Sequence, residues 1–223
     1  MDVERESIAK VWEENEGEVL KLGKFWIKPD TKGKRVSLYG FDSFCLVLAQ
    51  ILELEMLMPN DEVIAELDYK FLKRNIDIKL IKDVNIIQFP KFVKPVTPKL
   101  FKAEIFKTEN ELKSKIEGIK GDEKIICSDI ISVEAELRSF ILNNQIQDLA
   151  FYEGNGSLEE AENFIITFLE ESNITFPKSF VLDIGFNQKS GWFIIEFNAS
   201  WGAGLNFCQP QKVINCIRTA TVN

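Results

Sequence analysis

FVLDIGFNQKSGWFIIEFNASWGAGL, residues 180–205, contains two apolar runs separated by a polar turn at residues 187–191. This pattern predicts a hairpin of two strands. Side chains alternate along a strand, so Glu196 and Asn198 share one face of the second strand, and Asp183 shares a face with Val181 on the first. If the strands pair, these oxygen-bearing side chains converge as ligands suited to Mg²⁺ that bridges to phosphates. A solvated strand face ending in a glycine-rich turn explains the same residues without metal.

A second stretch, FVKPVTPKLFKAEIF at residues 92–106, carries two lysines at a junction between strands. Lys94 lies on a strand that stops at Pro95, and Lys99 follows in a short loop. Two cations in this arrangement can neutralise phosphates. Ordinary surface lysines are the alternative interpretation.

A third stretch, VEAELRSFIL at residues 133–142, alternates charged and apolar side chains. Glu134, Glu136 and Arg138 share one strand face, with Phe140 and Leu142 further along it. Charged residues at one end of a strand face, followed by apolar residues on the same face, are typical of a binding or catalytic site at the strand end. A solvated sheet edge would show the same alternation.

The rest of the chain predicts an α+β protein whose mostly antiparallel sheet has helices on one face. Capping boxes at residues 108–111 and 157–160 predict two helix starts. Further helices are expected from Asp2, from Asp42 or Ser43, and after Pro59. Predicted strands are Val19–Leu22, Lys24–Lys28, Val36–Tyr39, Ile76–Ile81, Ala103–Phe106, Lys124–Ser128, Glu134–Leu142, Gln145–Tyr152, Ser179–Phe186 and Gly191–Asn198. The dipeptide Phe89-Pro90 marks a predicted domain boundary.

Composition excludes several classes of function. The 223 residues carry a net charge of −8 and no histidine. An acidic chain lacks the basic footprint that duplex nucleic acid requires and does not favour docking to an anionic membrane. Catalysis by Ser-His or Cys-His pairs is excluded. Four widely spaced cysteines predict buried thiols in a reducing compartment, and with no apolar leader at the N-terminus we expect a cytoplasmic protein.

Taken together, these motifs resemble the ATP-grasp domain, and in particular the ATP-grasp clade named for two arginines and one lysine. YGFDSF and MPNDEVIAELDYKFLKRNI (residues 39–44 and 58–76) look like that clade's N-terminal lobe. FVKPVTPKLF resembles its lysine motif, AELRSF its Glu-x-Arg strand, and the hairpin of residues 180–205 its metal motif. The resemblance implies an ATP-grasp-like fold with a small N-terminal α/β lobe at residues 1–88 and a nucleotide- and metal-binding region at residues 89–223.

The resemblance also implies roles for individual residues. Asp183, Glu196 and Asn198 would hold Mg²⁺ on the β- and γ-phosphates of ATP. Lys94 and Lys99 would contact phosphates, with Lys94 also near the adenine, and Arg74 would stand where ATP-grasp domains place an upstream basic residue of the nucleotide site. Glu136 would take the ribose hydroxyls, and the backbone at Asp129, Ile130 and Ile131 would meet the adenine edge. Arg138, which would face the γ-phosphate or an acyl phosphate, and Lys99 would be the catalytic residues.

The implied activity is a carboxylate–amine ligase that uses ATP, with small-molecule or peptide substrates. An ATP-binding regulatory module of a phage or bacterial conflict system, without ligase activity, is the alternative. The sequence departs from many such ligases in having no long Gly/Ser-rich lid after Lys94 and no arginine just before Asp183. Trp201, Asn206 and Phe207 either line the acceptor side or belong to the core. A homodimer, the commonest soluble oligomer, is a possible assembly.

Overall fold

The computed structural model describes residues 2–23 and 26–222. The helices are α1 (Val3–Glu14), α2 (Asp42–Leu52), α3 (Tyr69–Leu72), α4 (Glu109–Lys115), α5 (Leu158–Glu171) and α6 (Pro210–Thr219). The strands are β1 (Glu55–Met56), β2 (Ile76–Leu80), β3 (Lys91–Pro95), β4 (Glu104–Phe106), β5 (Lys124–Ser128), β6 (Ala135–Leu142), β7 (Gln145–Glu153), β8 (Ser179–Asn187), β9 (Gly191–Asn198) and β10 (Thr221–Val222). Short 3₁₀ helices occur at Val63–Glu66 and Ile81–Ile86.

The chain divides into two compact units, and each contains segments that are distant in sequence. The first comprises Met1–Pro59, Glu134–Gly185 and Ile195–Asn223, and the second comprises Asn60–Val133 and Phe186–Ile194. The predicted boundary between residues 88 and 89 lies inside the second unit. It does so because β2, which precedes that boundary, pairs along its whole length with β5, which follows it.

The first unit is organised by a sheet with the strand order β7-β6-β8-β9. β6 and β7 form an antiparallel hairpin whose turn residues, Asn143 and Asn144, have positive φ angles of 50° and 58°. Asparagine tolerates this conformation better than most residues, so the sequence selects a tight two-residue turn here. The predicted hairpin at this dipeptide is therefore confirmed.

Helices cover both faces of this sheet, whereas the sequence predicted helices on one face. Helices α1 and α6 pack over the face that carries Phe140 and Val181. On the opposite face, α5 contributes one ring to a cluster of four phenylalanines, Phe168, Phe176, Phe180 and Phe197. The difference has a simple cause: β8 is buried on both faces along nearly its whole length, so an exposed face would leave apolar side chains in water.

The predicted strands Val19–Leu22 and Val36–Tyr39 do not form, and Lys24–Lys28 lies partly outside the described residues. Residues of these segments instead pack as extended chain against α2. Leu22, Val36 and Leu38 join Cys45 and Leu48 in one apolar cluster. These segments are therefore apolar because one side of the chain packs against α2.

The second unit contains a sheet with the order β2-β5-β3-β4, in which all three pairs are antiparallel. Its core lies between the sheet and α4, where Val93, Ile125, Cys127 and Leu112 are buried. Thr108 caps α4 and Ser157 caps α5 through their side-chain oxygens, as the two capping boxes predict. The helix predicted after Pro59 is shorter than expected and consists of a 3₁₀ turn followed by α3.

The four cysteines are buried, as predicted. Burial raises the pKa of Cys45, Cys208 and Cys216 to about 12 and that of Cys127 to about 11. These thiols are therefore protonated at neutral pH and are poor nucleophiles. Among the described residues, no helix combines the length and the apolar character needed to cross a membrane.

Candidate functional site

The three predicted metal ligands lie together in the first unit. Asp183 is on β8, and Glu196 and Asn198 are two residues apart on β9. The side-chain amide of Asn198 joins them, because its Nδ2 donates to Asp183 Oδ2 at 3.1 Å and to Glu196 Oε1 at 3.1 Å. One amide group thus bridges two carboxylates, which places their oxygens around a common point.

Arg138 on β6 forms the strongest contact of this group. Its Nε donates to Asp183 Oδ1 at 2.9 Å and its Nη2 donates to Asp183 Oδ2 at 2.6 Å. The third nitrogen, Nη1, donates to the carbonyl of Gly204 at 2.8 Å. The planar fork of arginine matches a carboxylate in this two-point geometry. Arg138 therefore fixes Asp183 and the loop that follows β9 with a single side chain.

The Arg138–Asp183 pair is buried, since Arg138 is 8% exposed and Asp183 is 1% exposed. Burial raises the pKa of the Asp183 carboxyl, and the Arg138 guanidinium opposes that rise. Burial also acts to lower the pKa of Arg138, but hydrogen bonding to Asp183 reverses this and raises it. Each charge is therefore maintained by the other, and removal of either one leaves an uncompensated buried charge.

Glu136 lies two residues before Arg138 on β6 and is half-buried. It accepts a hydrogen bond from the hydroxyl of Tyr152 on the neighbouring strand β7. Burial raises the pKa of Tyr152, and the hydrogen bond to Glu136 raises it further. The phenol therefore stays protonated and acts as a donor that orients the Glu136 carboxylate.

The glycine-rich loop, residues 199–207, is held by backbone and side-chain groups from the N-terminal third of the chain. The carbonyl of Trp201 accepts from the backbone N–H of Gly40 at 3.0 Å. The carbonyl of Ala203 accepts from the hydroxyl of Tyr39 at 3.0 Å. The YGFDSF motif thus contributes to the site by fixing this loop.

Glu4 on α1 anchors the same loop from the other side. Its two carboxylate oxygens accept from the backbone N–H groups of Leu205 and Asn206, each at 3.0 Å. A Cβ added to Gly204 would lie 2.8 Å from Glu4 Oε2, so a larger residue here would displace the Glu4 carboxylate from its position. The first helix is therefore a structural component of the candidate site.

Two residues of the loop adopt positive φ angles without being glycine. Asn206 has φ 45° and Phe207 has φ 69°, a region that costs free energy for residues with a side chain. Phe207 is 78% exposed, whereas Trp201 is buried. Of the two interpretations offered for these aromatic residues, Trp201 belongs to the core and Phe207 remains available to a ligand.

We expect Glu4→Ala to destabilise the protein by about 2 kcal/mol, because two backbone N–H groups would lose a charged acceptor. The change is measured as a shift in the midpoint of urea unfolding. Glu6→Ala is the matched control on the same helix, since Glu6 pairs with Lys21 at the surface, where such pairs contribute little. Equal stability of the two variants would show that Glu4 does not anchor the loop.

The predicted nucleotide-binding cations Arg74, Lys94 and Lys99 lie in the second unit. Arg74 follows α3 and donates from Nε to Ser128 Oγ at 3.0 Å and from Nη1 to the Ile194 carbonyl at 2.8 Å. Burial lowers its pKa to about 10, so it remains a cation at neutral pH. These two oxygens hold the guanidinium in place.

Lys94 and Arg74 are associated with the same face of the second sheet. Lys94 on β3 lies opposite Ile126 on β5, and Phe92 lies opposite Ser128. Paired residues and residues two apart share a face, so Lys94 lies on the face of Ser128, whose hydroxyl binds Arg74. The opposite face is occupied by the apolar core. This face therefore carries two cations.

Lys99 lies in the loop after β3, is exposed, and has a positive φ of 68°. Asp129 follows β5 and accepts from Asn75 Nδ2 at 2.7 Å and from the ammonium of Lys91. The hydrogen bond from Lys91 lowers the pKa of the Asp129 carboxyl. Ile130 is exposed and Ile131 is half-buried. The contacts of the Asp129 side chain thus fix the position of residues 129–131.

The predicted site residues are consequently distributed over both units. The first contains Glu136, Arg138, Asp183, Glu196 and Asn198, and the second contains Arg74, Lys94, Lys99, Asp129, Ile130 and Ile131. Sequence reasoning missed Glu4 and Tyr152. Neither belongs to a motif, and Glu4 contacts residues 201 and 202 positions away.

Residues 71–216 match the ATP-grasp domain model for family 2 of the clade named for two arginines and one lysine. The chain belongs to this family. The match includes every predicted site residue, from Arg74 to Asn198. The resemblance on which the sequence analysis relied is therefore confirmed at the level of the family.

Solved structures show the same ATP-grasp fold. A RimK domain ATP-grasp protein from Sphaerobacter thermophilus aligns with a TM-score of 0.62 and 9% identity, over 97% of this chain and 96% of its own. D-alanine–D-alanine ligase from Bacillus anthracis aligns with a TM-score of 0.55 and 12% identity, over 99% and 94%. L-amino acid ligase from Bacillus licheniformis aligns with a TM-score of 0.51 and 11% identity, over 81% of this chain and 56% of its own. No curated protein sequence matches the chain.

Proposed function

We propose that this ATP-grasp protein is an Mg-ATP-dependent ligase that joins a carboxylate to an amine through an acyl phosphate. The observation that carries the proposal is the connected group of Asp183, Glu196, Asn198 and Arg138, in which Asp183 and Arg138 are buried and Glu196 and Asn198 are half-buried, set beside an anchored glycine-rich loop. In an ATP-grasp fold, this group combines hard oxygen ligands with a fixed cation. That combination suits phosphoryl transfer, which depends mainly on positioning and on charge neutralisation.

The side chains present fit a magnesium ion. Asp183, Glu196 and Asn198 would hold it, because carboxylate and amide oxygens are ligands that Mg²⁺ prefers; the Asn198 amide, which now donates from Nδ2 to both carboxylates, would turn its oxygen toward the ion. Among the described residues, no group of three or more His, Cys, Asp or Glu forms a metal site. The remaining ligands would therefore come from water and phosphate oxygens. When bound, the ion would act as a Lewis acid and as a template for the phosphates.

The nucleotide would be bound by the residues that the resemblance implies. Arg74, Lys94 and Lys99 would bind phosphate oxygens, and the shared face of Arg74 and Lys94 supports this role for the first two. Glu136, oriented by Tyr152, would accept the ribose hydroxyls. The backbone of residues 129–131, which Asp129 positions, would meet the adenine edge.

The proposed reaction has two steps. A carboxylate oxygen of the substrate attacks the γ-phosphorus, the bond to the β-phosphate oxygen breaks, and ADP leaves. The amine nitrogen then attacks the acyl carbon, phosphate leaves, and the amine proton passes to Glu134 or to a phosphate oxygen. A guanidinium has five N–H donors, and those of Arg138 that Asp183 and Gly204 do not use would stabilise the transferred phosphoryl group.

The chain's own composition supports a route without a protein nucleophile. It has no histidine, and burial keeps its four cysteines protonated. The structures that share its fold include D-alanine–D-alanine ligase and L-amino acid ligase, whose names describe the joining of amino acids. Small amino-acid or peptide substrates are accordingly the first to test.

The test is thermal unfolding with ATP, ADP or AMP, each with and without Mg²⁺. A ligand that binds only the native state stabilises it, by about 2.7 kcal/mol at a hundredfold excess over Kd. We expect the largest rise in Tm with ATP and Mg²⁺ together and a small rise with AMP. ADP release is then measured with pools of amino acids as carboxylate and amine donors. Nucleotide binding without acceptor-dependent ADP release would favour the regulatory module, and no nucleotide effect would contradict both functions.

A further inference from the structure

We propose that Arg138 weakens the binding of a divalent cation to the Asp183–Glu196–Asn198 group whenever the cation arrives without a polyphosphate. The inference rests on the proposed function, because it concerns the metal site of that function. Arg138 would then act before the reaction begins. It would favour binding of the metal together with a nucleotide over binding of the metal alone.

The first argument is the saturation of Asp183. Its Oδ1 accepts from Arg138 Nε, and its Oδ2 accepts from both Arg138 Nη2 and Asn198 Nδ2. The carboxylate is 1% exposed. A cation that binds an Asp183 oxygen must therefore compete with hydrogen-bond donors that are already in place, and one of these donors is itself a full positive charge.

The second argument is the charge of the group. Asp183 and Glu196 are acidic, the positive charge of Arg138 offsets part of their negative charge, and Asn198 adds none. Cation affinity at oxygen sites increases with the number of charged ligands, and Mg²⁺ loses its water reluctantly. Carboxylates that a neighbouring guanidinium partly neutralises hold a hydrated divalent ion weakly. The phosphates of a nucleotide supply the missing negative charge and oxygen ligands.

The third argument concerns Asn198, which permits loading with little movement. Its Nδ2 bridges Asp183 and Glu196 at 3.1 Å each, so the amide presents a donor where a metal needs an acceptor. Rotation about the Cβ–Cγ bond, a soft torsion in asparagine, exchanges the nitrogen for Oδ1. This single rotation releases one lone pair on each carboxylate and supplies a third oxygen. Arg138 can then remain on Asp183.

The experiment measures Mn²⁺ binding by the loss of the free-ion signal in electron paramagnetic resonance, first without nucleotide and then with ADP. We expect Arg138→Met to bind Mn²⁺ alone at least about tenfold more tightly than the wild type, because the ion would then replace the counter-charge that the buried Asp183 carboxylate has lost. Arg138→Lys, which keeps the charge, should remain close to the wild type. ADP should tighten Mn²⁺ binding more in the wild type than in Arg138→Met.

Thermal unfolding verifies that each variant is folded. If Arg138→Met does not fold, Arg138→Gln provides the same test, because it removes the positive charge and keeps a hydrogen-bond donor for Asp183. It should also bind Mn²⁺ at least about tenfold more tightly than the wild type. Glu196→Gln, which removes a carboxylate, should bind Mn²⁺ more weakly in every condition.

Two results would overturn the proposal. One is Mn²⁺ binding by the folded charge-altered variants that is no tighter than in the wild type. The other is wild-type binding of Mn²⁺ alone that is as tight as binding with ADP, while ADP itself binds. Because the first arm contains no nucleotide, tighter Mn²⁺ binding in Arg138→Met together with a failure of ADP to bind would retain this role of Arg138 and contradict only the proposed nucleotide function.

Discussion

Glu196→Gln should remove nearly all of the stabilisation that ATP and Mg²⁺ together give to the protein, without changing the stability of the unliganded protein by more than about 0.5 kcal/mol. The substitution keeps the shape of the side chain, and its amide oxygen can still accept from Asn198 Nδ2. What is lost is one of two carboxylates on the metal. Changes in partners around a metal ligand already weaken metal binding by about 10–100-fold, so loss of a ligand should exceed this range.

The measurement is the Tm rise at a fixed concentration of Mg-ATP. At a concentration that is a hundredfold above the wild-type Kd, stabilisation should fall from about 2.7 to about 0.4 kcal/mol if Kd rises a hundredfold. Glu162→Gln, at an exposed position on α5, is the matched control and should keep the full rise. A Glu196→Gln variant with an unchanged response to Mg-ATP would remove Glu196 from the metal site.

Asp183→Asn should destabilise the protein by about 3–5 kcal/mol, because it leaves the buried guanidinium of Arg138 without its counter-charge. The variant retains the volume of the side chain, so little of the loss would come from a cavity. The measurement is urea unfolding at neutral pH. A loss below about 1 kcal/mol would show that solvent reaches Arg138 and that the pair is not a buried one.

A double variant separates the charge effect from the loss of contacts. In Arg138→Met with Asp183→Leu, both charges are replaced by apolar groups of similar size, a change that is often neutral or stabilising for buried pairs. We expect it to be more stable than Asp183→Asn alone. If the double variant is the less stable of the two, hydrogen bonds such as that from Arg138 to Gly204 contribute more than the charge pair.

The sequence predicted those parts of the fold whose determinants are local. The capping boxes at Thr108 and Ser157 begin helices as expected, since each is a contact between residues three positions apart. The hairpin at Asn143-Asn144 also depends on adjacent residues. Helix α6 was not predicted, although Pro210 at its first turn and the spacing of Val213, Ile214 and Ile217 are local indications of a helix.

The sequence predicted the residues of the candidate site but not which of them contact one another. Alternation along β9 placed Glu196 and Asn198 on one face, and the structure has both in contact through the amide of Asn198. The Arg138–Asp183 pair depends on β8 lying next to β6, although β7 intervenes in the chain. The strand order of a sheet is set by packing of the whole unit. The periodicity of side chains within β6 or β8 does not indicate this order. The sequence therefore could not predict that Arg138 forms an ion pair with Asp183.

The anchoring of the glycine-rich loop by Glu4 has a consequence for how the protein acquires its structure during synthesis. The first helix leaves the ribosome long before the loop at residues 199–207 exists, and β1 must likewise wait for its partner β10. Contacts with such separations in sequence form late and slow folding, because the intervening chain has to be ordered first. While it waits, α1 exposes Ile8 and Val11, which the finished protein buries. A nascent chain of this protein is therefore exposed to aggregation until β10 has been made, and a chaperone that binds apolar helices should increase its yield.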